Sequence, residues 1–240
     1  MDLGIAGRVA LVTAASKGLG RATAVALAQE GAKVVICARG AEALAGAEAE
    51  LAAHTEVLAI PDDVTEPAAP SRLVDAAVAR FGRLDIVVAN AGGPPAGRAL
   101  DVTDAQIEAA VNSNLLTSVR LVREAVPHMR KEGWGRICLI TSSSIKQPIA
   151  TLSLSNAART GLWAWAKTAA TDLFAEGITL NLACPGLHDT ERMQAIPTLE
   201  GPRGDPADFG RVVAFLCSEP AKFMSGSTVL VDGARAVGLV

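Results

Sequence analysis

Short apolar runs alternate with stretches of helical periodicity along nearly the whole chain. The runs at 9–13, 33–37, 56–60, 84–89, 136–141, 179–183 and 228–231 are mostly continuous rather than alternating in polarity. That is the pattern of strands covered on both faces of a parallel sheet. Between them the periodicity predicts helices over 21–30, 41–53, 71–81, 104–131, 152–176 and 206–217. Gly31, Gly82, Gly133 and Gly177 stand where such helices end, as C-terminal caps do. Thr103-Asp104-Ala105-Gln106 reads as a capping box, and Asp205-Pro206 as an N-cap followed by proline at the first helical position. The alternation predicts an α/β fold: a Rossmann-like, doubly wound parallel sheet of about seven strands with helices on both faces. No linker or repeat interrupts it, so residues 1–240 are expected to form a single domain with any ligand site built into it.

In such sheets ligands sit beyond the carboxyl ends of the strands, so the residues just after each strand matter most. The first is Thr13-Ala14-Ala15-Ser16-Lys17-Gly18-Leu19-Gly20, a glycine turn between a strand and a helix. Such a turn presents backbone N–H groups and a helix N-terminus to a phosphate. After the second strand stands Arg39, where an acid would suit a ribose 2′-hydroxyl and an arginine suits a 2′-phosphate. With Lys17 it favours NADP(H) over NAD(H). Asp63 and Val64 follow the third strand, and a carboxylate there could accept from an adenine amino group. Asn90-Ala91-Gly92 follows the fourth, Ser142-Ser143-Ser144 the fifth, and Pro185-Gly186 with Thr190 the sixth.

Composition narrows the classes. Half the residues are hydrophobic, enough for a large core, and the net charge of −3 with scattered Lys and Arg excludes a general nucleic-acid surface. No apolar run approaches the roughly 18 residues of a membrane span, and the first residues lack the apolar core of a signal peptide. A cytoplasmic protein with buried, reduced thiols is expected from four separated cysteines, and three scattered histidines give no metal site. The chain contains no tyrosine.

Together these residues resemble the short-chain dehydrogenase/reductase family, and within it the 3-oxoacyl-acyl-carrier-protein reductases, over about residues 5 to 233. The turn at 13–20 is similar to the family's Thr-Gly-x-x-x-Gly-x-Gly, with Ala14 in place of its first glycine, tolerable if φ stays negative. Asn90-Ala91-Gly92 is similar to its Asn-Ala-Gly turn. Pro185-Gly186 and Thr190 resemble its Pro-Gly-x-x-x-Thr segment, which implies a carboxamide contact for Thr190. The resemblance implies cofactor contacts from Thr13, Ala15, Ser16, Lys17, Gly18, Leu19, Gly20, Arg39, Asp63, Val64, Asn90, Ala91, Gly92, Pro185, Gly186 and Thr190. It also implies a small carbonyl or alcohol substrate, a 3-oxoacyl thioester being one, and a homotetramer or homodimer.

The catalytic tetrad departs from the pattern. Aligning Arg159-Thr160-Gly161-Leu162 with the family's lysine segment puts Asn114, Ser142, Ser155 and Arg159 where the family has Asn, Ser, Tyr and Lys. A serine hydroxyl is shorter and far less acidic than a phenol. Arginine does not readily give up a proton. His188 and Lys146 are candidates for a substitute acid, each with an ordinary surface role as the plainer reading. In the short segment from Thr190 to Pro206, Ile196-Pro197 through Gly204 leaves little room for a helical lid. The sequence therefore supports an oxidoreductase with an altered proton path. The alternative is a degenerate NADP(H)-binding protein serving as sensor or interaction subunit.

Overall fold

The structure is a computed structural model that describes residues 1–194 and 201–238. Seven parallel strands form one sheet: β1 (Val9–Thr13), β2 (Lys33–Ala38), β3 (Val57–Pro61), β4 (Ile86–Ala89), β5 (Gly135–Ile140), β6 (Ile178–Pro185) and β7 (Thr228–Val231). Their order is β3-β2-β1-β4-β5-β6-β7. The chain winds outward from β1 in one direction and then returns to β4 to build the other half. The crevice where the order reverses lies beyond the carboxyl ends of β1 and β4.

The helices are α1 (Gly18–Gln29), α2 (Ala41–Leu51), α3 (Ala69–Phe81), α4 (Asp104–Val111), α5 (Thr117–Glu132), α6 (Ser153–Phe174), α7 (Glu191–Gln194) and α8 (Pro206–Leu216). The expected punctuation is present. Gly31, Gly82, Gly133 and Gly177 all have positive φ. Thr103 and Gln106 exchange both bonds of a capping box, and the Asp205 carboxylate accepts from the Ala207 N–H. Two apolar layers sandwich the sheet. One packs α1, α2 and α8 against residues such as Val12, Ile36 and Phe209; the other packs α3, α5 and α6 against Leu11, Val87 and Leu180. Gly210 lets α8 lie directly on α1, since a Cβ there would stand 2.4 Å from the Ala22 carbonyl oxygen.

Three differences from the expected elements bear on function. The long helix expected at 104–131 is divided by a turn of π-helix, Asn112–Leu116, which carries Asn114. An inserted residue of this kind re-aims side chains and is common at functional sites. A helical turn, α7, follows Thr190 and is not among the expected helices; of the stretch from Ile196-Pro197 through Gly204, expected to leave little room for helix, residues 196–200 lie outside the described residues and 201–204 carry no helix. Leu84 and Asp85 precede β4 instead of belonging to it, because the Asp85 carboxylate is engaged by Arg8 and Arg83 and accepts from the Val9 N–H.

Candidate active site

The glycine turn places Ala15 in the core and leaves Ser16 half-buried, with Lys17 exposed. Lys17 is extended (φ −160°) and ends the turn, so α1 starts at Gly18, whose φ is +58°. Ala14 has φ +49°, the left-handed region. The condition set for an alanine there, a negative φ, is not met, and the Cβ costs about 1 kcal/mol relative to glycine. Gly20 is held by contact. A Cβ on it would stand 2.4 Å from the Ala14 carbonyl oxygen and 2.7 Å from Asn90 Nδ2. Leu19 packs on the core. Gly20→Ala is therefore expected to cost about 1–3 kcal/mol by overpacking and to weaken dinucleotide binding at least tenfold. Fluorescence titration with NADPH, beside a thermal melt, checks both effects.

Two further segments meet this turn. The Thr13 hydroxyl donates to the Asn90 carbonyl (2.7 Å) and accepts from its N–H (2.9 Å), so it couples β1 to the Asn90-Ala91-Gly92 turn. Asn90 Nδ2 donates to the Ala14 carbonyl at 3.3 Å. The Thr190 methyl lies over Gly18, and its hydroxyl accepts from Met193 N–H at the start of α7. Lys17 and Glu191 form an exposed ion pair at 2.5 Å that joins the turn to α7. Pro185 and Gly186 lie at the end of β6, with Gly186 pressed against Asp232.

At the end of β2, Arg39 is exposed, and no described residue bonds its guanidinium. Asp63 accepts from the Thr65 N–H and hydroxyl through Oδ1, which leaves Oδ2 available. Val64 packs on the second apolar layer. The neighbouring Asp62 is held bidentately by Arg72, which keeps its carboxyl below the ordinary range.

Ser142 and Arg159 stand at the carboxyl end of β5, Ser155 lies one turn before Arg159 on α6, and Asn114 sits in the π-turn that packs against α6. Ser142 Oγ accepts from the Ser144 N–H at 3.1 Å, which leaves its own proton free to donate. Ser155 is buried at 7% exposure, and no described residue bonds its hydroxyl. Arg159, one turn further along α6, is equally buried. Its Nη1 donates to the Ile140 (3.0 Å) and Thr141 (2.9 Å) carbonyls, and its Nη2 reaches the Ala91 carbonyl at 3.4 Å. It braces the ends of two strands beside Ser142. Burial, and then the charge of Arg192, push its guanidinium down to about 10. The π-turn packs against α6, with Leu115 touching Gly161. Asn114 is buried; its Nδ2 donates to the Ser113 hydroxyl, while no described residue bonds its Oδ1.

The substitute acids fare differently from their plain surface reading. His188 is buried, its ring edge-on to Phe209 at 5.1 Å, and no described residue bonds its Nδ1. Burial lowers its pKa, so it is neutral near pH 7 and a weak proton source. The Lys146 ammonium lies 4.1 Å from the Trp163 ring centroid, which engages it away from a free surface role. All four cysteines are free and buried. The Cys184 thiol is raised to about 11, chiefly by burial, and is no nucleophile. Trp163 and Trp165 are half-buried against the second layer.

One residue of the crevice escaped the sequence reading. Arg192, on α7, lays its guanidinium on Gly93 and donates to the Pro94 carbonyl at 3.1 Å. Its neighbours Asp189 and Glu191 make it read as one of several paired surface charges. Only the fold shows that those acids turn elsewhere.

The arrangement fits a dinucleotide: a glycine turn too tight for a Cβ at Gly20, two loops converging on it, and an exposed arginine after β2. A family model described as short chain dehydrogenase matches residues 8–200. Human dehydrogenase/reductase SDR family member 4 is 34% identical, over 95% of this chain and 87% of its own length. The 3-oxoacyl-[acyl-carrier-protein] reductase of Escherichia coli is 31% identical, over 95% of this chain and 96% of its own. The crystal structure of L-sorbose reductase from Gluconobacter frateurii, complexed with NADPH and L-sorbose, superposes with a TM-score of 0.94 at 30% identity, with both chains fully covered.

Proposed function

This chain belongs to the short-chain dehydrogenase family of oxidoreductases, and we propose that it uses NADP(H) to reduce a carbonyl, or oxidise the matching alcohol, by a proton path without tyrosine. The convergence of the 13–20 turn, the Asn90 turn and Thr190 on one crevice carries this reading. When bound, the nicotinamide cofactor supplies or accepts the hydride. The N–H groups at Ser16, Gly18, Leu19 and Gly20, with Lys17, would hold its diphosphate, while Ala15, buried and with its N–H given to the Cys37 carbonyl, would shape the turn beneath it. Arg39 would hold a 2′-phosphate, and Asp63 and Val64 would flank the adenine. Asn90, Ala91, Gly92, Pro185, Gly186 and Thr190 would line the remainder.

On the substrate side, the free Ser142 proton would donate to the carbonyl oxygen. The fixed Arg159 charge would stabilise the negative charge that develops there. Ser155 would position a water as the proton donor, and Asn114 would fix the π-turn beneath. Loss of a general acid costs roughly 10²–10⁴ in rate. Positioning still contributes about 7–11 kcal/mol, so the expected turnover by this path is slow.

NADPH absorbance with ketones, 3-oxoacyl thioesters and alcohols tests this reading. Turnover that falls with Ser142→Ala is expected. NADPH binding without turnover of any of them would instead support the sensor or interaction-subunit reading. Arg39→Asp should weaken NADPH about 10–100-fold, the loss of one charge-assisted phosphate contact, and leave NADH binding little changed. Equal losses for the two dinucleotides would sink the NADP(H) assignment. The same reading makes residues 1–240 one domain, acting in the cytoplasm as a homotetramer or homodimer, which light scattering on the purified protein checks for assembly. Among the described residues no helix is long and apolar enough to cross a membrane, and no group of side chains could hold a metal ion.

A further inference from the structure

We propose that Arg159 and Arg192 form a carboxylate clamp in the crevice, so that the substrate is an anionic oxo-acid or hydroxy-acid. The inference rests on the oxidoreductase reading and names its substrate class.

The first observation is a buried charge without a counter-charge. Arg159 is 7% exposed, and no described Asp or Glu pairs with it. Buried cations are ordinarily paired, because removing a charge from water is costly. Both Nη1 protons are used on carbonyls, but Nη2 has only a long 3.4 Å contact and no described residue accepts from Nε. The open Nε–Nη2 edge is the fork that takes both oxygens of a carboxylate.

The second observation is the position of Arg192. It too lacks an acidic partner among the described residues, although acids are close in sequence. Glu191 pairs with Lys17, and Asp189 approaches Arg203 and accepts from Gln194. Arg192 instead crosses to Pro94, in the loop whose Ala91 carbonyl meets Arg159. The two cations are near enough for Arg192 to depress the Arg159 pKa. Two like charges brought to one loop repel, and an anion between them relieves both. Ser155, buried with its hydroxyl unbonded by any described residue, adds a donor one turn away on the same helix face.

A substrate fits better than the cofactor's diphosphate. The diphosphate already has the glycine turn and the start of α1. Arg159 instead holds the carbonyl of Thr141, the residue before Ser142. A carboxylate there sits beside the carbonyl that Ser142 would hold.

The test compares pyruvate, acetoacetate and levulinate with their methyl esters. Each is titrated calorimetrically into the protein and assayed with NADPH, for the native chain and for Arg192→Met. At least one acid should bind and turn over ten- to a hundredfold better than its ester, and Arg192→Met should reduce that preference at least tenfold. Equal acid and ester, or a preference indifferent to Arg192→Met, overturns the clamp. So does a loss confined to NADPH affinity, which would assign Arg192 to the diphosphate. An acid that binds in the calorimeter while nothing turns over sustains the clamp and removes the oxidoreductase reading. Turnover of esters without acid preference does the reverse.

Discussion

Ser155→Tyr combined with Arg159→Lys is expected to accelerate NADPH-dependent reduction of an uncharged ketone by about 10²–10⁴. A phenol begins near pKa 10, and an ammonium four residues on along the same helix face lowers it. It reaches further than a serine hydroxyl, so a proton can be delivered to the carbonyl directly. The substitution is not free of structural cost. Ser155 is buried, and a larger side chain there strains the packing by about 1–3 kcal/mol. Arg159 also braces the Ile140, Thr141 and Ala91 carbonyls, which a lysine can only partly replace. A thermal melt and far-UV spectrum therefore accompany the assay. A folded double variant no faster than the native chain would show that the missing acid is not what limits the reaction. The same variant should lose its preference for acids over esters, since one arm of the clamp is gone.

Asp85→Ala is expected to destabilise the fold by about 3 kcal/mol while leaving the rate per folded molecule unchanged. Asp85 is fully buried at the amino end of the sheet, opposite the crevice. Its carboxylate accepts from Arg83 at 2.6 and 2.7 Å, from Arg8 at 3.1 Å, and from the Val9 N–H at 2.9 Å. Its backbone joins β1 to β5, donating to Val9 and accepting from Arg136. Removing one partner of a buried pair costs about 3–5 kcal/mol. The low end applies because Arg8 and Arg83 keep 27% and 33% side-chain exposure and can rehydrate. For a chain of this size the melting temperature should fall by roughly 10 °C. A drop of under about 2 °C, or a changed kcat at a temperature where the variant is folded, would contradict the assignment.

The two ends of the sheet were unequally legible. The carboxyl end announces itself, because close approach to a phosphate needs glycines in a fixed order, and Gly18, Gly20 and the Asn90 turn stand in that order. The amino end gave no signal: Asp85 sits inside an apolar run and reads as a strand residue, yet it is a buried ionic hub. Ala14 shows the limit of a residue-type argument. Its Cβ suggested a negative φ, but the hydrogen bond from Asn90 to its carbonyl and the approach of Gly20 hold the turn in the left-handed region. His188 reads as a loop residue beside a Pro-Gly, and becomes a core residue because Phe209 of α8 packs against it.

By itself the sequence determined the parallel sheet, its helices and the dinucleotide crevice. These follow from period and from glycine placement, which are local properties of the chain. It also established that no phenol is available, a fact of composition. Tertiary structure alone decided where charge stands. Arg159 and Arg192 are 33 positions apart in number, and although the family pattern marks Arg159, nothing local shows that either lacks an acidic partner. Only packing strips one of water, brings the other to the same loop, and turns Asp189 and Glu191 away from both. Whether a charge is paired depends on which elements meet, and that is a property of the fold rather than of any stretch of chain.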